Sequence, residues 1–192
     1  AYVQTSPDGV SWTLRNAAAN LQRRSICCSP ELGLFYAVGN SGTGNRVMTY
    51  TDGITWTSRT SAADNAWNAV CWSAELGLFC VVAGSGTGNR VMTSPDGITW
   101  TSRTSAADNT WSAVCWSPEL GLYCAIASTG TGNRVMTSPN GVAWTLRTSA
   151  ADNAWATVAW AAELGLFAVV GNSGTGTRAT TSVSMFKYPY RS

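Results

Sequence analysis

The residues of this sequence best suited to handling a ligand come in recurring sets. Asp64-Asn65-x-Trp67, Asp108-Asn109-x-Trp111 and Asp152-Asn153-x-Trp155 bring a carboxylate, an amide and an indole together three times. Asn45-Arg46, Asn89-Arg90 and Asn133-Arg134 repeat at the same interval and add a guanidinium to each set. Carboxylates and amides bond hydroxyl groups, and an indole face stacks on the C–H face of a sugar ring, so the pattern predicts three glycan subsites. The same residues have a second use: Asp and Asn side chains shape a loop by bonding its backbone, and Trp packs between sheets. Both readings stand at this stage. The first copy has lost the pattern and reads Asn20-Leu21-Gln22-Arg23.

Catalysis is not expected. The ten acidic residues all occupy repeated positions: Asp8, Asp52 and Asp96; Asp64, Asp108 and Asp152; Glu31, Glu75, Glu119 and Glu163. An acid–base pair needs two carboxyl groups in different environments, and here no acid stands apart. The chain has no His, which removes the usual Ser–His–Asp and Cys–His arrangements and the usual zinc sites. No metal or cofactor is expected. The loop Gly84-Ser85-Gly86-Thr87-Gly88 is superficially like a phosphate-binding loop, but no helix follows it to present an N-terminus to an anion. The six cysteines include no C-x-x-C. A four-residue turn at 74–77 would set Cys71 opposite Cys80, and the same register sets Cys115 opposite Cys124, so each pair is either a disulfide or two buried thiols. The fourth copy has Ala159 and Ala168 there, and the first sets Cys27 opposite Tyr36.

The elements that must position these residues follow from a 44-residue period. Asn-Arg-Val-Met-Thr recurs at 45–49, 89–93 and 133–137; Glu-Leu-Gly-Leu begins at 31, 75, 119 and 163. Each unit divides into four short β-rich runs between Gly, Pro, Asn and Asp turns, for example Trp67 to Ser73, Leu78 to Ala83, Arg90 to Ser94 and Ile98 to Arg103. Four antiparallel strands per repeat predict an all-β fold: a small β-propeller of about four four-stranded blades, with residues 1–192 forming one domain. The units are approximately 23–59, 67–103, 111–147, and 155–183 plus 1–15. The N-terminal strands are expected to complete the last blade and close the ring, which would remove exposed edges. That leaves a C-terminal strand at 178–183 without a slot, and the tail at 185–191 is an expected assembly contact.

The segments Ser6 to Trp12, Ser94 to Trp100, the Tyr50/Thr51 variant ending at Trp56, and Ser138 to Trp144 with Asn140 in place of Asp share the pattern S-P-D-G-x-x-W. This resembles the Asp-box of the sialidase-like β-propeller repeats, in a form one residue shorter between Asp and Gly. The resemblance runs through the whole chain. It implies a propeller whose Asp-boxes are structural turns between strands three and four, with ligands on the opposite face. The sialidase arginine cluster and Tyr–Glu pair have no counterpart here, so a non-enzymatic member is expected. Turn chemistry gives the motif the same structural role independently: Asp and Ser bond the turn, Gly supplies a positive φ, and Trp seals neighbouring blades. Trp12, Trp56, Trp100 and Trp144, and Trp72, Trp116 and Trp160, are expected to be buried at blade junctions.

With 45% hydrophobic and 11% charged residues, including ten Trp, the composition is that of a folded chain. A net charge of +2 spread along the sequence gives no nucleic-acid footprint. No apolar run reaches the ~18 residues of a spanning helix, so no membrane insertion is expected. A chain opening on Ala1 is expected to have lost an initiator Met or a leader. Repeated sites suit avidity. The expected function is therefore a multivalent binding or adhesion module for a glycan or surface protein, on an extracellular, cell-surface or virion structure. The alternative is a structural or protein–protein interaction propeller with no small-molecule ligand.

Overall fold

The computed structural model describes residues 2–51, 54–176 and 178–183, and within them every regular element is a strand. β1 (Tyr2–Thr5) and β2 (Thr13–Asn16) form a two-stranded sheet. Three four-stranded antiparallel sheets follow. The first holds β3 (Arg23–Ser29), β4 (Leu34–Gly39), β5 (Val47–Tyr50) and β6 (Trp56–Arg59). The second holds β7 (Trp67–Ser73), β8 (Leu78–Ala83), β9 (Val91–Ser94) and β10 (Thr101–Arg103). The third holds β11 (Trp111–Ser117), β12 (Leu122–Ala127), β13 (Val135–Ser138) and β14 (Thr145–Arg147). The last has three strands, β15 (Trp155–Ala161), β16 (Leu166–Gly171) and β17 (Ala179–Thr181).

Sheet packs on sheet in chain order, with β3 against β7, β7 against β11 and β11 against β15. The same residues make each junction. Trp72 Nε1 donates to Glu31 Oε2 at 2.8 Å, and Trp116 and Trp160 donate to Glu75 and Glu119 at 2.6 Å, always across 41 positions. Apolar side chains fill the space between. Phe79 sits among Tyr36, Trp72 and Trp100, with ring centroids 3.8, 4.3 and 6.4 Å away. Trp56 and Trp100 are buried as expected and Trp72, Trp116, Trp144 and Trp160 are half-buried, but Trp12 is 59% exposed. Trp12 differs because its two-stranded sheet has no inner strands to cover it.

The predicted register is found. Cys71 faces Cys80, Cys115 faces Cys124 and Cys27 faces Tyr36. The structure shows the alternative of free thiols at Cys71, Cys80, Cys115 and Cys124, with no bond between the facing sulfurs. Facing residues on paired strands hold their Cβ atoms about 4.5–5.5 Å apart, whereas a disulfide wants about 3.8 Å. The thiols serve instead as small hydrophobes in the core. Burial pushes Cys27 and Cys124 up to about 12 and raises Cys71, Cys80 and Cys115 well above the ordinary thiol value.

The expected closure is also corrected. The C-terminal strand β17 occupies the third place of the last sheet, pairing Ala168 with Thr181 and Val170 with Ala179. Among the described residues β1 pairs only with β2, and the two lie beside the first four-stranded sheet, where Val3, Ala17 and Ala18 pack on Ala37, Met48, Tyr50 and Trp56. Among the described residues, no packing between β15 and β3 matches that between the consecutive sheets. The described blades therefore form an arc, with Ile26 and Phe35 exposed at one end and Val170 at the other. The tail at 185–191 lies outside the described residues.

Candidate functional site

One edge of the arc carries the Ser-Pro-Asp-Gly turns. Ile98 and Thr99 each donate a backbone N–H to Asp96 Oδ1 at 2.8 Å, Gly97 N donates to Ser94 Oγ at 2.7 Å, and Trp100 Nε1 donates to Gly97 O at 3.1 Å. Burial would raise the Asp96 carboxyl, but the Thr99 and Ile98 amides and the Ser94 hydroxyl outweigh it and hold the group below its usual range. Asn140 accepts the same two bonds from Val142 and Ala143 at 2.9 Å, so the turn needs an oxygen there and not a charge. Asp52 lies outside the described residues.

The other edge carries the Asp-Asn-x-Trp loops, and each is closed on itself. Asp108 Oδ1 accepts from Gly88 N at 2.7 Å and faces Arg90 Nε at 3.5 Å. Arg90 in turn donates to the carbonyls of Gly86, Gly84 and Asn109 at 2.8, 3.1 and 2.9 Å. Asn109 Nδ2 donates to Asn133 O at 2.9 Å, tying this loop to the Gly-rich loop of the next blade. Trp111 Nε1 donates to Ala107 O at 3.0 Å.

The other copies follow suit. Asp64 and Asp152 accept from Gly44 and Gly132, and pair with Arg46 and Arg134 at 3.7 and 3.5 Å. Asn65 bonds Asn89 O, Trp67 bonds Ala63 O and Trp155 bonds Ala151 O. Asn153 is buried. Trp67, Trp111 and Trp155 are 0%, 0% and 2% exposed, and a sealed indole has no face for a sugar. The structure thus brings every residue of the predicted glycan subsites together, but as a clip that braces loops. Only the Asp carboxylates keep an exposed edge.

A different set of residues faces open space. In every first strand the register shifts across the second residue: between Arg23 and Ser25, Trp67 and Ala69, Trp111 and Ala113, and Trp155 and Thr157. Such a bulge re-aims one side chain. The four bulge residues, Arg24, Asn68, Ser112 and Ala156, line a single polar cavity of 370 Å³ together with Ser128 and Asn172. With the Asn40 amide turned so that its oxygen faces the guanidinium, Arg24 Nε and Nη2 donate to it at 2.7 and 2.9 Å. Asn68 Nδ2 donates to Trp111 O at 2.8 Å. Pattern reading missed this site because it sought repeated residues. The signal was the reverse: Arg, Asn, Ser and Ala all differ at one position in otherwise similar copies.

No protein-family model matches the chain, and neither does a curated protein. Solved structures do. "YCF48 bound to D1 peptide" has 15% identity and a TM-score of 0.59, covering 88% of this chain and 51% of that one. The Niastella koreensis GH74 enzyme has 14% identity and a TM-score of 0.62, covering 78% and 26%. The Myceliophteria thermophila Cps50 (Swd1) β-propeller domain has 11% identity and a TM-score of 0.63, covering 94% and 62%. The chain spans between about a quarter and two thirds of these structures. At such identities the likeness concerns the fold alone, and that fold is the β-propeller.

Proposed function

We propose that this chain is a protein-interaction propeller that takes a polar peptide or loop of its partner into the cavity at the centre of the arc. The observation that carries the reading is the convergence of the four bulge residues on one polar space, with a different side chain in each of the four copies. Varied, precisely aimed polar groups on a rigid scaffold suit recognition of one irregular partner. The closed Asp-Asn-x-Trp loops favour this over glycan binding. The YCF48 structure, a propeller of the same fold, holds a peptide. The cavity is lined by Arg24, Asn68, Ser112 and neighbouring neutral residues, with no carboxylate pair for acid–base work, which favours binding over turnover. The GH74 likeness speaks to fold only.

The test is to probe the protein on a peptide array and a glycan array in parallel, with Asn68→Trp as the blocking variant. Peptide binding that Asn68→Trp abolishes while the protein stays folded at the assay temperature is the expected result. Glycan binding insensitive to Asn68→Trp, with no peptide bound, would refute the reading.

A further inference from the structure

The charged groups are sorted between the two edges of the arc. Every Arg of the described residues lies at or beside a strand end on the edge of the Asp-Asn-x-Trp loops, as Arg90 does just before β9 and Arg103 at the end of β10. The three ion pairs lie on that edge too. The edge of the Asp-box turns is different. It carries Asp96 and, in the turns that join first strand to second, Glu31, Glu75 and Glu119; no Lys or Arg stands in either kind of turn. The three Glu are exposed, and each gives one oxygen to the Trp of the next blade, which fixes the carboxylate in place. Among the described residues none of these four carboxylates pairs with a basic group.

Aliphatic side chains stand among these charges. The residue after each Asp-box Gly is Val or Ile, and the residue after each of the repeated Glu is Leu, in all four copies. The position that follows Ile98 is freer and ranges over Ser, Thr and Ala. The turn makes no use of the aliphatic side chains, since it bonds Ile98 and Val142 through the backbone N–H. Leu32, Leu76, Ile98 and Val142 are 42%, 41%, 50% and 44% exposed. They adjoin, because each Asp-box turn reaches over the blade before it. Tyr36 Oη donates to Asp96 O at 3.1 Å, and a Cβ on Gly141 would lie 3.2 Å from Leu78 Cδ2. Ile98 thus stands beside the turn that holds Leu32, and Val142 beside the turn that holds Leu76. The patch spans interior junctions and owes nothing to where the chain begins or ends. Single apolar residues on a surface need no explanation, but a cluster rimmed by charge of one sign marks a contact.

Charge and shape together select the occupant. The same edge of a second copy would set carboxylate against carboxylate. The opposite edge of a second copy offers Arg, but its Ser-Gly-Thr-Gly-Asn and Thr-Ser-Ala-Ala-Asp-Asn loops hold no apolar side chain larger than Ala. Anionic lipid headgroups would be repelled. A protein surface that sets Lys or Arg between aliphatic side chains meets both demands. We propose that the Asp-box edge docks such a partner, with its cations on Glu31, Glu75 and Glu119 and its aliphatic side chains over Leu32, Leu76, Ile98 and Val142. The central cavity opens beside the Asp-Asn-x-Trp loops, on the other edge, so this is a second interface that leaves Arg24, Asn68 and Ser112 to their own ligand.

The probe is a set of blocked peptides of about twelve residues that place Lys among Leu at varied spacings, each with a Glu-for-Lys and a Ser-for-Leu counterpart. Binding is followed by calorimetry to wild type, to Asn68→Trp, to Leu76→Ser combined with Val142→Ser, and to Glu75→Gln combined with Glu119→Gln. Both double variants should stay folded: the side chains of Leu76 and Val142 are exposed, and an amide keeps an oxygen for each Trp Nε1 while removing the charge. At least one Lys–Leu spacing should bind wild type and Asn68→Trp about tenfold or more tightly than either counterpart, and each double variant should weaken that binding about tenfold or more. No spacing binding at about 1 mM, Lys and Glu peptides binding alike, or binding unchanged in either double variant would overturn the proposal. So would self-association of wild type in sedimentation, or its capture by phosphatidylcholine vesicles, if Leu76→Ser with Val142→Ser abolished it, since the occupant would then be a second copy or a lipid surface. Loss of array binding in Asn68→Trp tests only the central cavity, so the two readings fail separately.

Discussion

Gly97 is where the junction between the first two full blades is set, and replacing it with Ala measures how tightly they meet. Gly97 has φ +68, in the left-handed region, and a Cβ built there overlaps the ring of Tyr36. Tyr36 cannot step aside cheaply: it is fully buried, its hydroxyl donates to Asp96 O at 3.1 Å, and its ring lies 3.8 Å from that of Phe79. Two penalties add. Left-handed backbone costs a non-Gly residue about 1–2 kcal/mol, and overpacking a close-fitted core costs about 1–3 kcal/mol more. Gly97→Ala should therefore lose roughly 2–5 kcal/mol of unfolding free energy in urea melts. Gly9 is the internal control. It has the same motif and φ +75, but a Cβ there meets nothing, so Gly9→Ala should lose only about 1–2 kcal/mol. Tyr36→Ala, which installs what the fourth copy has as Ala168, should absorb the clash, and the double-mutant cycle should show coupling of about 1–3 kcal/mol. Equal losses at Gly97 and Gly9, or additive effects of Gly97→Ala and Tyr36→Ala, would refute the account of this junction.

Other consequences are open to measurement. The indole-to-carboxylate bond between Trp116 and Glu75 predicts coupling of about 0.5–1.5 kcal/mol in a Trp116→Phe and Glu75→Ala cycle, and zero coupling would mean that it does not hold the blades. Folding depresses the Asp96 pKa, so its bonds stabilise fully above the unfolded value of about 3.9 and are lost as pH falls through the lower folded value. Asp96→Asn, mimicking Asn140, should then lose less melting temperature than wild type between neutral pH and about pH 3; an identical acid profile would rule out that contribution. Alkylation of the native protein near pH 8 should label exposed Cys28 and spare the buried, high-pKa thiols, and denaturation without reductant should then release the other five; mass spectrometry finding fewer than six labelled in total would reveal a disulfide.

Much of the fold was legible because each strand is bounded by residues with strong local preferences. The stretches Trp67 to Ser73 and Leu78 to Ala83 are β7 and β8 as found, since Asn65, Gly77 and Gly84 bound them. The fourth strand was read too long: Ile98 to Trp100 wraps around the Asp96 turn, and β10 begins at Thr101. Closure was not legible. Identical junctions say that one blade follows another, but they carry no sign of whether the last meets the first. Nor could pattern tell Trp67 from Trp12. An indole that stacks on a ligand and one that seals a loop look alike until the neighbouring backbone is known. The varied bulge residues went unnoticed because repetition was the guide.

The bond across 41 positions that joins each blade to the next also bears on how such a chain changes over generations. Because every junction uses the same donor and the same acceptor, inserting or deleting one 44-residue unit leaves each remaining Trp opposite a Glu. A unit gained or lost in this way would still stack on its neighbours, since each junction among the described residues involves two consecutive blades alone. Length is thus a heritable variable that shifts in whole units. The first copy, with Arg23 and Cys28 in place of two tryptophans, is the one that departs from the other three at these positions.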